Sequence, residues 1–351
     1  RSIGQVFAYA LVGFGMNGQE YLGSFEDSLS FSEVCLVFAA TSACMVPISI
    51  FCIDEKRLLE RNSFSDYLSA TWELMRSKAF FFVVLWQFFN PAIQYVSSTA
   101  GANVQRYWAG VETLQNQMSN IFSFMLFSAV LGIVRERYLH ASWRGMLITT
   151  TLILYVIDVP FTMLTTFDVV RNQYFYLGEN LLQELPQAAF FVISCFVIVE
   201  MATDSNEGLI YGLLTTISNC GKNVPNAISN QLFGTFSPAL SNTANYIAAK
   251  GGDQQCFRNV VAWSFVVSYG FAFLSLLTMP LMPNQKADAR YRLETWPRHT
   301  LYAVATITLI ALGLSYSLTV NFLALTPLAC LEIAGGQGCD SGPPPAVAQP
   351  C

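Results

Sequence analysis

Apolar residues in this chain come in runs of about 20, the length a helix needs to cross the ~30 Å hydrocarbon core of a bilayer. Nine such segments can be marked, at about 3–18, 30–53, 79–99, 117–134, 145–166, 180–202, 208–233, 259–282 and 300–323. The runs do not alternate as strands do, and a helix satisfies its own backbone, as lipid demands. Pro47, Pro91, Pro160, Pro186 and Pro225 lie inside runs, where membrane helices tolerate them as kinks. Only 12% of the residues are charged and 53% are hydrophobic, against roughly 25% charged in an ordinary globular domain. So little charge cannot cover a surface facing water. The expected fold class is all-α: a polytopic transmembrane helix bundle of about nine membrane helices.

Basic residues in the loops test this independently. One set of connections is rich: Lys56, Arg57, Arg61, Arg76 and Lys78; then Arg135, Arg137 and Arg144; then Lys286, Arg290, Arg292 and Arg298. The alternate set carries only Arg106, Arg171, and Lys250 with Arg258; the short turn 203–207, on the basic side by count, carries no cation and is silent. Rich and poor loops alternate as nine crossings require, which places the basic loops in the cytoplasm and the Gly/Pro-rich tail 334–351 outside. The tail region carries Cys330, Cys339 and Cys351, and an outer loop carries Cys256. A disulfide among these four is expected, its pairing open. Cys35, Cys44, Cys52, Cys195 and Cys220 lie in apolar runs and read as small hydrophobes. Arg1 is followed at once by an apolar run, with no initiator Met and no cleavage site, as in a chain that begins inside a larger protein. In the loop 54–78, Phe64, Leu68, Trp72 and Met75 recur at spacings of three and four. They predict an amphipathic helix, lying on the membrane surface or packed on the helix ends.

Polar residues at membrane depth are costly and mark interiors or water-filled paths. Thr215, Asn219, Lys222, Asn223, Asn226 and Asn230 step by three and four along 208–233, on one face of a helix. Gln87, Asn90, Gln94 and Ser97 do the same in 79–99 beside Pro91; Asn180, Gln183, Glu184 and Gln187 open 180–202; Asn116, Asn120 and Ser123 open 117–134. The last two segments carry only scattered hydroxyls. Such stripes are either glue between helices or the walls of a hydrated path, and four asparagines beside a lysine exceed what glue needs. Three ionisable groups fall inside segments. Glu184 either reaches water near the helix end or works in the interior; Lys222 either snorkels, pairs structurally or binds an anion. Asp158 shows no partner in the sequence and must be paired or protonated.

Enzyme signatures are missing. The two histidines, His140 and His299, fall in loops, and neither a Walker-type phosphate loop nor an Arg-rich voltage-sensor helix occurs. Basic residues do not interleave with aromatics as nucleic-acid binding requires. No enzyme activity, cofactor, metal or nucleic-acid partner is expected.

The run from Glu200 to Gly221 resembles the folate–biopterin transporters of the major facilitator superfamily. Those carry an acidic residue and Gly or Ala opening the eleventh helix, here Glu207 and Gly208, then a Leu-rich stretch and a Ser/Asn/Gly element, here Ser218, Asn219 and Gly221. Trp86-Gln87-Phe88-Phe89-Asn90-Pro91 is similar to the family's seventh helix with its proline, and Arg135-x-Arg137 through Arg144 to the basic turn between helices eight and nine. The chain departs from the pattern at Glu200-Met201-Ala202, where Cys-Pro often stands, and in the helix 300–323, which lies beyond the usual twelve.

The resemblance covers roughly 79–282 and implies a major-facilitator-like architecture lacking most of its N-terminal half. Residues 1–53 would end that half, 54–78 be the central cytoplasmic loop, 79–282 the C-terminal six-helix half, and 283–351 an extra membrane helix with its tail. The implied function is secondary transport of an anionic folate- or pterin-like solute by alternating access, in the plasma membrane, with the lipid bilayer and the missing half as partners. In the family, helices seven, eight, ten and eleven line the cavity and nine and twelve are peripheral. By that placement Lys222 attracts a carboxylate; Asn219, Asn223, Asn226, Gln87, Asn90 and Gln94 hydrogen-bond the solute; Phe88 and Tyr211 stack on its ring. Glu184 is the first candidate for proton coupling and Asp158 the second. The alternative is a non-transporting scaffold or receptor-like protein in which the stripes are glue.

Overall fold

The computed structural model describes residues 2–19, 25–52, 63–137, 141–201, 207–249, 254–324 and 330–331. Among the described residues each apolar segment is helical, and no strand forms beyond the isolated bridges Gly18–Phe25 and Ser77–Arg298. The chain is an all-α helical bundle. Its helices are α1 (Ser2–Gly15), α2 (Phe31–Cys52), α3 (Phe64–Met75), α4 (Lys78–Gln94), α5 (Gly101–Asn103), α6 (Thr113–Arg137), α7 (Trp143–Thr166), α8 (Gln173–Met201), α9 (Glu207–Gly234), α10 (Thr243–Ala249), α11 (Gln255–Ser275), α12 (Lys286–Thr295) and α13 (Thr300–Ala324). A π turn, Val104–Trp108, continues α5, and a 3-10 turn, Leu276–Leu281, continues α11.

Six helices are long and apolar enough to cross a membrane: α2, α6, α7, α8, α11 with its extension, and α13. Against the nine expected, α1 has 14 residues and α4 has 17, while α9 has 28 but is diluted by its own amides and Lys222. Large apolar side chains point outward on these helices, among them Phe51, Val156, Leu277 and Leu312. Lipid is the solvent in which that outward face costs nothing.

The expected amphipathic helix is α3. Ser63 and Asp66 form a capping box at its start: the Ser63 hydroxyl accepts from the Ser65 N–H and the Asp66 carboxylate from the Ser63 N–H, both at 3.3 Å. Met75 is buried, while Leu68 and Trp72 stay exposed; the Phe64 side chain lies outside the described set. The turn after α3 is pinned to the turn before α13 by His299 N–H donating to the Arg76 carbonyl at 2.9 Å and by Arg76 and Arg298 sharing Glu73.

Sequence reading did not anticipate α12, which organises the third basic loop. Glu200, at the end of α8, pairs with Lys286 at 2.6 Å and Arg290 at 3.3 Å, and Asp288 pairs with Arg292 at 2.9 Å. Burial works to raise the Asp288 pKa, but the Asn284 N–H and the Arg292 and Arg144 guanidiniums outweigh it and hold the carboxyl below its ordinary value. Arg144 donates to the carbonyls of Met282 at 2.7 Å and Pro280 at 3.0 Å, occupying the free acceptors after the 3-10 turn. Lys56, Arg57, Arg61 and Lys250, and the side chains of Arg135 and Arg137, lie outside the described set.

Two apolar clusters close the ends of the bundle. One gathers Met75, Phe80, Trp143, Val197, Leu214 and Met282 near the basic loops. The other gathers Val96, Trp108, Phe233, Tyr246, Phe257 and Val261 at the opposite end. There Arg258, nearly fully buried, donates to the carbonyls of Ala249 and Thr166 and meets Asp168, which also pairs with Arg171. Cys256 and Cys330 are both disulfide-bonded, while Cys35, Cys44, Cys52, Cys195 and Cys220 are reduced. Cys339 and Cys351 lie outside the described residues.

Between the clusters α4 and α9 pack closely along Phe88–Pro91. A Cβ on Gly221 would overlap the Phe88 carbonyl oxygen and press on Pro91 at 3.1 Å. Backbone there cannot yield as a side-chain tip does. The helix α13 covers the same point, with Gly313 against Cys220, so the extra helix is part of the bundle. Gly221→Ala is expected to destabilise the protein by about 1–3 kcal/mol through overpacking, read as a lower thermal midpoint in detergent. Gly212→Ala, where an added Cβ meets nothing within 4 Å, is the control; equal midpoints refute the close approach.

Candidate functional site

A cavity of about 730 Å³ lies between the two clusters, walled by α4, α6, α7, α8 and α9. Each wall follows from helical spacing. On α4, Gln87, Asn90, Pro91 and Gln94 reach it together with Trp86 and Tyr95. On α9, Tyr211, Thr215, Ser218, Asn219 and Lys222 form one face. On α8, Gln183, Glu184, Gln187 and Ser194 do the same. Seven of the site residues expected from the sequence therefore meet here: Gln87, Asn90, Pro91, Gln94, Glu184, Asn219 and Lys222.

The others are placed differently. Asn223 turns away and donates to Ser317 Oγ of α13 at 2.9 Å: one residue beyond Lys222 it lies about 100° round the helix, and it serves as glue. Asn226, one turn past Lys222, is exposed but outside the cavity wall. Ser97 falls beyond the end of α4, its N–H held by Ser229 Oγ at 3.1 Å. Phe88 does not line the cavity but packs on Gly313 and Phe89. Asp158 stands behind the wall, bonded by Gln183. Glu207 and Gly208 open α9, one turn before it meets the cavity at Tyr211; the side chains of Glu207 and Asn180 lie outside the described set.

On α6, the amides Asn116 and Asn120 bond Gln105 and Gln117, and the cavity wall is made by Phe124 and Phe127 instead. The helix α7, expected to be peripheral, contributes Thr150, Thr151, Leu154 and Tyr155. Thr151, Tyr155, Asp158 and Thr162 step by three and four along it, a signal that the sequence carries.

The wall is electrostatically incomplete. Trp86 Nε1, Gln87 Nε2, Asn90 Oδ1 and Gln94 Oε1 are buried with no hydrogen-bond partner. Burying such a group unpaired costs about 1–3 kcal/mol, so these side chains are held beside the cavity at a cost to stability. The Asn90 amide nitrogen is committed elsewhere, to Thr278 Oγ1 at 3.1 Å and the Ser275 carbonyl at 3.4 Å, and its oxygen is the atom left without a partner. The Lys222 ammonium lies 5.9 Å from the Tyr95 ring centroid, within cation–π range. Glu184 brings a carboxyl to the opposite wall. Among the described residues no group of His, Cys, Asp and Glu is arranged to hold a metal.

No family model, curated protein or solved structure matches this chain. The geometry is therefore the ground on which its function is read. Donors, acceptors, one cation and aromatic faces, concentrated on one pocket between helices, suit a planar polar molecule bearing an anionic group.

The wet face can be checked by labelling. In a chain whose own reduced cysteines are replaced by Ala, Asn219→Cys is expected to react with a charged thiol reagent about tenfold faster than Asn223→Cys, because thiol reactivity follows access. Equal rates would show that the two positions share one environment.

Proposed function

We propose that this chain is the C-terminal part of a secondary active carrier that moves an anionic folate- or pterin-like solute across the plasma membrane. One observation carries the reading: a cavity of about 730 Å³ inside the helix bundle is lined by Lys222, Glu184 and the amide residues Gln87, Asn90, Gln94, Gln183 and Asn219. Ligand pockets run from about 300 to 1,000 Å³, so the size suits a solute of this class. Lys222 holds the carboxylate; Gln87, Asn90, Gln94 and Asn219 hydrogen-bond the heterocycle edge; Phe124, Phe127, Tyr155 and Tyr211 offer ring faces.

In this reading α1, α4 and α9 also cross the membrane, giving nine crossings in a major-facilitator-like bundle. Buried polar helices such as α9 cross without being uniformly apolar because their wet side faces water between helices. The basic loops face the cytoplasm. Oxidised Cys256 and Cys330 fit an opposite, oxidising side. Transport proceeds by rocking this half against an N-terminal half, driven by a proton gradient through a carboxyl, Glu184 or Asp158.

Labelled folate uptake by cells expressing the full-length gene tests the assignment. Lys222→Ala is expected to weaken uptake affinity by about 10- to 100-fold, the value of a hydrogen bond to a charged group, with Lys222→Arg keeping part of it and an uncharged pterin unaffected. Normal uptake by Lys222→Ala removes the anion site. Absence of any pterin uptake by well-expressed protein favours the scaffold, for which the Asn223–Ser317 bond is the supporting observation.

A further inference from the structure

Behind the α8 wall lies a pair of carboxyls that the solute site does not use. Asp158 sits in the middle of α7, and Glu179, 5% exposed, in the second turn of α8. The two helices run antiparallel from the turn 167–172, so both positions lie a similar distance from it and face one another. One donor, the Gln183 amide nitrogen, reaches both carboxyls. The Gln183 amide nitrogen donates to Asp158 Oδ1 at 3.3 Å and also to Glu179 Oε1, and Thr162 Oγ1 donates to Asp158 Oδ1 at 3.2 Å. From α11 the Tyr269 hydroxyl, on a residue 8% exposed, faces Asp158 and Thr162.

No cation balances this pair among the described residues: no Lys, Arg or His bonds either carboxyl. The titratable groups that face it are phenols, Tyr155 on α7, Tyr176 on α8 and Tyr269 on α11. On α6 the ionisable residues, Arg135, Glu136 and Arg137, are at the far end; Glu184, Lys222 and Tyr95 face the cavity instead. Two ionised carboxylates so close, in a medium of low dielectric constant, repel strongly, and one proton held between them relieves the repulsion.

We propose that Asp158 and Glu179 form a one-proton binding site that Gln183 couples to the solute cavity. This deepens the carrier reading and rests on it for the coupling, though not for the proton site itself. Gln183 is the side chain that both bonds the pair and lines the cavity. Its donor hydrogens stabilise the ionised pair. A solute that draws the Gln183 amide into the cavity withdraws them, so the pair takes up a proton from water as the solute binds. Linkage then makes the proton strengthen solute binding in return, which is the thermodynamic requirement for moving both in one direction. Glu184, despite its place on the wall, is left outside this step.

Two measurements on purified full-length protein test it. Without solute, lowering the pH from the range in which the pair is ionised should add to the infrared spectrum the stretch of a hydrogen-bonded, protonated carboxyl that Glu179→Gln removes and Glu184→Gln leaves. With folate added in weakly buffered solution, a pH-indicator dye should report uptake of about one proton per solute bound, abolished by Glu179→Gln or Asp158→Asn and kept in Glu184→Gln. A wild-type spectrum unchanged by Glu179→Gln overturns the proton site, whatever folate does. The carboxyl band without folate binding leaves the proton site standing and removes the carrier reading. Folate binding with proton uptake unchanged in Glu179→Gln overturns the coupling.

Discussion

Everything in this protein follows from where its polar groups can go when the surroundings offer no water. A helix satisfies its own backbone, so the runs can be helical at no cost, but each side-chain amide, hydroxyl or charge at mid-depth needs a partner or a wet space inside the bundle. The chain answers by turning Phe51, Val156, Leu277 and Leu312 outward and collecting amides between α4, α8 and α9. Apolar clusters above and below keep that polar layer from the ends of the bundle.

The polar layer divides its labour. Asn90 uses its nitrogen to tie α4 to the turn after α11 and stands in the cavity wall beside Gln87 and Gln94. Asn223 is wholly glue, toward α13, while Asn219 and Lys222 face the space. Gln183 belongs to both the wall and the carboxyl pair behind it. The close seam at Gly221 and Phe88 brings α9 against α4, so that the striped faces of the two helices meet at one cavity instead of opening on separate spaces. In the carrier proposed here, that seam positions the anion-binding lysine opposite the donors and acceptors of α4.

Legibility differed from residue to residue for physical reasons. Gln87, Asn90, Gln94, Asn219, Lys222 and Glu184 could be read because three- and four-residue spacing on an otherwise apolar helix marks one face. Asn223 could not be separated from them, since a stripe about 100° wide spans two neighbouring interfaces. The part played by α7 was missed because Thr151 and Tyr155 are individually common on lipid-facing helices, although they step with Asp158 and Thr162 by three and four. Glu179 was missed because the apolar run was taken to begin at 180, whereas α8 begins at Gln173. Equal counts from the turn 167–172 set Leu181 opposite Asp158, so the hairpin spacing alone does not single out Glu179.

By itself the sequence determined the elements: long apolar runs with few charges form helices compatible with lipid, and the helical period marks which side of each is polar. It also determined the amphipathic α3, whose cap and spacing are local. Tertiary structure decided which polar faces share a cavity, that α13 joins the bundle, and that Asp158 has a partner. Those outcomes depend on how helices far apart in the chain are rotated and set against one another, and no spacing within a single helix encodes that.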